Sequence, residues 1–217
     1  MKLVLFDFDG TLIDSADLIH ETMRRTFRQY GKTEPALDDT KSIIGLTLDI
    51  AISRLDGKPH VDDEAGEMTA YYKSLFSTVR TDLDFREPLF PGIREVLDEL
   101  FSRSDILVGG VTGKSRRGLD FALDTHGFAP HFVVSRTADD CPSKPHPAMV
   151  NECCDVTGIA PADTLVIGDA VYDMQMAKAA GATAIGVSWG YAPVAGLLAA
   201  GADHIIDHPR ALLGHLG

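Results

Sequence analysis

The segment Asp7-Phe8-Asp9-Gly10-Thr11-Leu12 follows a short apolar run, Leu3–Phe6. Alternate residues of an extended chain share a face, so Asp7 and Asp9 are expected to point the same way just past a strand end. Two carboxylates that close repel each other unless a cation lies between them or their roles differ. One as nucleophile and the other as proton donor and acceptor would use both. Three further segments carry compatible groups. Val111-Thr112-Gly113-Lys114-Ser115 offers a hydroxyl and free amides in a glycine turn, a setting for a phosphoryl oxygen. Ser143-Lys144-Pro145-His146-Pro147 stiffens the backbone around Lys144 with two prolines. A lysine held there would neutralise phosphate charge and restrain a carboxylate, while His146 fits a helix start better than an acid or base. Gly168-Asp169-Ala170-Val171-Tyr172-Asp173 brings two more carboxylates, and oxygen donors without a His or Cys cluster suit Mg2+. Each segment alone has a plainer reading, as acidic turn, helix cap, solvated loop lysine or acidic helix start.

The elements that must position these groups are legible as apolar runs. Leu3–Phe6, Ile106–Val111, Phe132–Val134, Leu165–Ile167 and Ala184–Val187 read as buried strands, with a sixth at His204–Asp207. Helical spacing marks Ile93–Leu100, Ala148–Val156 and Met174–Ala180, the last closed by Gly181. This alternation predicts an α/β fold, a Rossmann-like parallel sheet core with helices on both faces. Ligands in such folds sit beyond the carboxyl ends of the strands, where all four segments fall. Residues 15–88 differ, with 14 acidic and 10 basic residues and no apolar strand. Helices are predicted there over Leu18–Tyr30, Ile43–Leu55 and Glu64–Val79. The expected organisation is a catalytic core of 1–14 and 89–217 with an α-helical cap, 15–88, inserted after the first strand. The plainer alternative is an elaborated crossover.

Composition narrows the function classes. The chain has 217 residues, with 20 Lys and Arg against 32 Asp and Glu, for a net charge of −12. An acidic chain makes a poor general nucleic-acid binder, which needs a basic face to displace counterions. It also repels an anionic substrate unless a bound cation reverses the local sign. Three cysteines, two of them adjacent, fit reduced thiols better than a disulfide framework. The apolar run after Lys2 is too short for a signal segment. Residues 179–202 carry no charge but hold five glycines and Pro193, so they read as helix end, strand, loop and short helix rather than a membrane span. The expectation is a cytoplasmic monomer or small homo-oligomer, with no membrane or nucleic-acid partner.

In combination, Asp7-Phe8-Asp9-Gly10-Thr11-Leu12, Thr112, Lys144-Pro145 and Gly168-Asp169-Ala170-Val171-Tyr172-Asp173 resemble the haloacid dehalogenase superfamily of aspartate-nucleophile phosphohydrolases. Leu89-Phe90-Pro91-Gly92-Ile93 and Met174–Gly181 look like its phosphoglycolate phosphatase-like branch, and the resemblance spans essentially the whole chain. It implies a Mg2+-dependent phosphatase acting on a small phosphorylated metabolite. Asp7 would attack phosphorus, and Asp9 would protonate the leaving oxygen and then activate water. Thr112, Gly113 and Lys144 would bind the phosphoryl group. Mg2+ would be held by Asp7, the backbone carbonyl of Asp9, and Asp169, with Asp173 ligating through water or supporting Lys144. The resemblance also implies a cis Lys144–Pro145 bond. A sugar phosphomutase would share these motifs and is the nearest alternative. A phosphorylated receiver module would carry its aspartate after a later strand and need no cap. Two positions depart from the pattern: Ala170 replaces the usual Thr or Ser, and Gly113 a frequent Asn. Gly45, in Ile44-Gly45-Leu46-Thr47, and Arg116, with its neighbour Arg117, are the candidates for selecting the substrate.

Overall fold

A computed structural model describes residues 1–82 and 86–216. Residues 83–85 of the predicted insertion and the terminal Gly217 lie outside the described residues. In chain order, β1 (Lys2–Phe6) leads into four helices: α1 (Ala16–Gln29), α2 (Leu37–Ile43), α3 (Leu48–Leu55) and α4 (Asp63–Asp82). Next come α5 (Ile93–Phe101), β2 (Ile106–Val111), α6 (Arg116–His126), β3 (Phe132–Arg136) and α7 (Ala148–Thr157). The chain ends with β4 (Thr164–Gly168), α8 (Val171–Ala180), β5 (Thr183–Val187), α9 (Val194–Ala199), β6 (His204–Ile206) and a 3-10 segment, Pro209–His215.

The strands form one sheet of order β3-β2-β1-β4-β5-β6, and every pairing is parallel. Continuous apolar strands suit such a sheet because both faces are covered. Val4 and Phe6 of β1 belong to one apolar cluster, with α5 and α6; Leu3 and Leu5 belong to the other, with α7 and α8. Helix α5 shows how this is encoded. Ile93, Val96, Leu97 and Leu100 recur at helical spacing and all are buried, each worth about 1.5–3 kcal/mol of transfer free energy. Strand order reverses between β1 and β4. Chain excursions leave these neighbours toward opposite sides, opening a crevice beyond their carboxyl ends. Asp7 and Asp169 follow those two ends.

Helices α1–α4 come between β1 and β2 and bury a separate apolar cluster that includes Met23, Phe27, Ile52 and Met68. The segments leading in and out run side by side: Ile13 bridges Leu89 in antiparallel fashion, Asp14 N donates to Pro88 O (2.8 Å), and Phe90 N to Leu12 O (3.0 Å). One expectation needs correcting here. Of the single helix predicted over Ile43–Leu55, only Leu48–Leu55 is helical, as α3; Ile43 is the last residue of α2, which lies before the predicted range, and residues 44–47 join the two. Gly45 at φ +102° breaks the helical path. The apolar periodicity ran on across the break because Ile43, Ile44, Leu46, Ala51 and Ile52 all bury into the same cluster. No helix among the described residues is long and apolar enough to cross a membrane. Cys141, Cys153 and Cys154 are free and buried.

Candidate active site

Asp7 and Asp169 extend from the adjacent ends of β1 and β4, and Asp173 lies in the first turn of α8. One carboxylate oxygen from each falls within 4.8 Å of the others, and all three residues are buried. Lys144 enters the same cluster from the loop before α7, behind a cis Lys144–Pro145 bond. Its Nζ lies 2.9 Å from Asp7 Oδ1 and 2.6 Å from Asp173 Oδ1. Burial favours its neutral form, but Asp173 and Asp7 outweigh this and raise its pKa, so the ammonium persists.

Every oxygen of the cluster but one has a hydrogen-bond partner. Asp7 Oδ1 also accepts from Phe8 N (2.7 Å). Asp169 accepts from Thr11 Oγ1 (2.9 Å) and Tyr191 N (2.8 Å). Asp173 Oδ2 accepts from Ala170 N (3.0 Å). Asp7 Oδ2 is buried without a partner. The protein alone therefore leaves the cluster short of positive charge. Burial raises Asp7 to about 7, with Asp173 and Asp9 adding to the push while Lys144 opposes it. Asp169 is held well above the usual carboxylate range by burial and then by Asp173 and Asp7. Hard oxygen donors with an orphaned carboxylate atom fit a small divalent cation. Glycine makes the fit close: a Cβ on Gly10 or Gly190 would collide with the Asp169 carboxylate or its Cβ.

Asp9 stands apart from this cluster. Its Oδ1 accepts from the Ser15 hydroxyl in a very short contact and from Lys114 Nζ at 2.8 Å. The two carboxylates that share a strand end thus each have their own lysine, an asymmetry that lets their roles differ. Thr112 is fully buried at the end of β2, and its Oγ1 accepts from Lys114 N at 3.2 Å.

Gly113 and Gly45 meet beneath the 44–47 loop. A Cβ on Gly113 would lie 2.7 Å from Leu46 O and 2.9 Å from Gly45 O. A Cβ on Gly45 would sit 3.3 Å from the Ala170 side chain. The two departures from the family pattern, Gly113 and Ala170, therefore underlie the same loop, and small residues there let its backbone come close. Thr47 N donates to Ser143 Oγ (2.9 Å), tying the loop to the Lys144 segment. A cavity of about 400 Å³ opens beside this loop, lined by Lys41, Ile44, Asp169, Ala170, Tyr172 and Tyr191 among others. Neither Asp7 nor Asp9 lines it.

Arg116 is not brought into the cluster. Its guanidinium donates to the hydroxyl and carbonyl oxygens of Ser135 and pairs with Asp140, bracing α6 against the β3 end. Arg117 is exposed on α6. His146 starts a helix as expected, its Nδ1 accepting from Ala148 N. Sequence reasoning passed over Lys114, Ser15 and Tyr191. Lys114 left a signal, standing two residues beyond Thr112 in the same glycine turn. Tyr191, whose hydroxyl accepts from Ser15 N and Ala16 N and donates to Asp14, left none.

The family model for haloacid dehalogenase-like hydrolases matches residues 4–187. A phosphoglycolate phosphatase from Nitrosospira multiformis is 30% identical over 197 residues, covering 88% of this chain and 85% of that protein. A pyrophosphatase, PpaX, from Bacillus mycoides is 29% identical over 214 residues, 98% of this chain and 95% of that one. The solved structure of a haloacid dehalogenase-like family hydrolase from Streptococcus pneumoniae shares the fold at a TM-score of 0.82 and 23% identity, over 100% of this chain and 99% of the other. With the carboxylates and Lys144 gathered at the β1–β4 crevice and most of its length matched by that model, the chain belongs to the haloacid dehalogenase-like hydrolases.

Proposed function

We propose that the protein is a Mg2+-dependent phosphatase that cleaves a small phosphate monoester through an aspartyl-phosphate on Asp7. The observation that carries this reading is the buried Asp7 carboxylate, anchored through Oδ1 by Lys144 and Phe8 N while Oδ2 has no partner. Asp7 attacks phosphorus, forming the new P–O bond as the ester P–O bond breaks. Asp9 gives its proton to the departing oxygen. It then takes a proton from a water that attacks the aspartyl-phosphate, releasing phosphate and restoring Asp7. Lys144 and Thr112, with the amide of Gly113, hold the phosphoryl oxygens. Asp7, Asp169 and the backbone carbonyl of Asp9 would hold Mg2+, and Asp173 orients Lys144 from its 2.6 Å contact. Bound there, Mg2+ supplies charge neutralisation for a phosphoryl group in transfer, a reaction dominated by positioning and electrostatics.

Residues 15–88 act as a cap on the core of 1–14 and 89–217, with Gly45 bringing the 44–47 loop down over Gly113 and Ala170. Relatives named for phosphoglycolate and for pyrophosphate support a small phosphorylated substrate. Buried free thiols support a reducing, cytoplasmic setting. The test is phosphate release from a panel of small phosphate esters and pyrophosphate, with Mg2+ and with chelator. Asp7→Asn is expected to lower turnover by on the order of 10³-fold or more; full turnover in that variant on every active substrate would overturn the nucleophile assignment.

A further inference from the structure

Two lysines stand at the site, and the proposed mechanism uses only Lys144. The Lys114 side chain is 9% exposed, with Nζ 2.8 Å from Asp9 Oδ1 and 3.2 Å from Glu87 Oε1. Burying an ammonium costs several kcal/mol unless opposite charge offsets it. Asp9 and Glu87 do so: burial favours the neutral amine, but the two carboxylates raise its pKa and keep it charged. Glu87 is anchored in turn by Arg80 of α4, Nη2 to Oε2 at 2.7 Å. An alternating row of charges, Arg80–Glu87–Lys114–Asp9, therefore runs from the helical insertion to the candidate acid.

At its end the geometry is asymmetric. Lys114 and the Ser15 hydroxyl both reach Asp9 Oδ1, while no hydrogen bond from the described residues reaches Oδ2. A carboxylate gripped through one oxygen by two donors has its plane and its free oxygen fixed. Ser15 sits where the chain enters the helices and Glu87 where it returns, beside the paired segments around Ile13 and Leu89.

We propose that Lys114, held by Glu87, is a positioning residue for Asp9: it secures Oδ1 so that Oδ2 is the atom that exchanges the proton with the leaving oxygen. This rests on the phosphatase reading and extends it to a residue outside the metal cluster. A proton donor matters for an alkoxide leaving group and little for 4-nitrophenolate, which departs as a stable anion. A side chain that only supports the fold would affect both alike.

The test compares kcat/KM for an alkyl phosphate and 4-nitrophenyl phosphate, with Mg2+, in wild type, Lys114→Met and Lys114→Met/Glu87→Gln. The double variant removes the carboxylate that Lys114→Met would strand in the interior, and thermal melts establish that the proteins are folded. In kcat/KM, which reports the steps through departure of the leaving group, the alkyl ester is expected to slow roughly 10- to 100-fold in both variants, part of the full contribution of a general acid, and the nitrophenyl ester less than about 3-fold. In an Asp9→Asn background, Lys114→Met should add less than about 2-fold, because two residues acting as one unit are not additive. Equal slowing of both esters would make Lys114 structural. A rise in KM alone would make it a substrate contact, and an unchanged profile would remove it from the reaction; each overturns the proposal. A wild type that releases phosphate from no ester overturns the phosphatase reading instead, and the proposal falls with it.

Discussion

Removing Lys144 tests whether the cluster is an electrostatic unit or a packed acidic turn. Its side chain is 0% exposed and touches Asp7 and Asp173 at 2.9 and 2.6 Å. Lys144→Met keeps much of the volume and deletes the charge. Asp7, Asp169 and Asp173 are then left within 4.8 Å of one another with no buried cation between them. Breaking a buried ion pair by taking one partner costs about 3–5 kcal/mol. For a chain of this size 1 kcal/mol moves the melting temperature by about 2–4 °C, so the metal-free variant should melt roughly 6–20 °C below wild type. The assay is thermal melting in chelator and again with Mg2+, followed by circular dichroism. If these carboxylates hold a divalent cation, Mg2+ should recover more of the loss in Lys144→Met than it adds to wild type, because the ion then meets uncompensated charge. A melting temperature within about 2 °C of wild type in chelator would refute the electrostatic account. A large loss that Mg2+ leaves untouched would refute the metal assignment and leave the buried pair.

Gly113→Ala should lower kcat/KM about 10-fold with little change in melting temperature. The new Cβ would meet backbone oxygens of Leu46 and Gly45 at 2.7 and 2.9 Å, and overpacking of this kind costs about 1–3 kcal/mol, taken here from the approach of the 44–47 loop; activity equal to wild type would show that the loop does not need that approach. Asp56, 14% exposed between Lys32 (2.8 Å) and Lys58 (3.0 Å), has a pKa lowered by hydrogen bonds from both lysines against the opposing pull of burial. Its contribution is present above the unfolded carboxyl value and is lost as pH falls through the folded one, so Asp56→Asn should destabilise by about 0.5–1 kcal/mol at pH 7 and converge on wild type as the pH falls below the folded value; a deficit that persists in acid would point to packing.

Much of the fold was legible because a parallel sheet buried on both faces writes itself as apolar runs. All six strands among the described residues lie where such runs stand, and the groups at their carboxyl ends were legible for the same reason: Asp7, Thr112 and Asp169 each follow a strand. What escaped is what no local pattern encodes. The α2–α3 break hides in continuous periodicity, since both helices feed one cluster and only Gly45 marks the turn. Arg116 stood near Thr112 in sequence, yet Ser135 and Asp140 draw its guanidinium to the β3 end. Lys114 reads as a surface lysine until the fold brings Glu87, 27 positions away, to its other side. Long-range charge pairing depends on topology, and a single sequence does not display it.

The distribution of charge answers how a chain at −12 handles an anion. Four carboxylates, Asp7, Asp9, Asp169 and Asp173, face two lysines, Lys144 and Lys114, while Glu87 is balanced separately by Arg80. The lysines offset part of that negative charge. On the proposed reading, a divalent cation held by Asp7 and Asp169 would offset what the lysines leave. Before that, an incoming phosphate would meet net negative charge in a low-dielectric crevice, where repulsion is strong and poorly screened. With an ion bound it would meet that ion, an ammonium and backbone amides. The acidic composition and an anionic substrate are therefore compatible for a local reason. On the proposed reading the protein need not be basic overall, because an ion held by its carboxylates, rather than its long-range field, would supply the attraction.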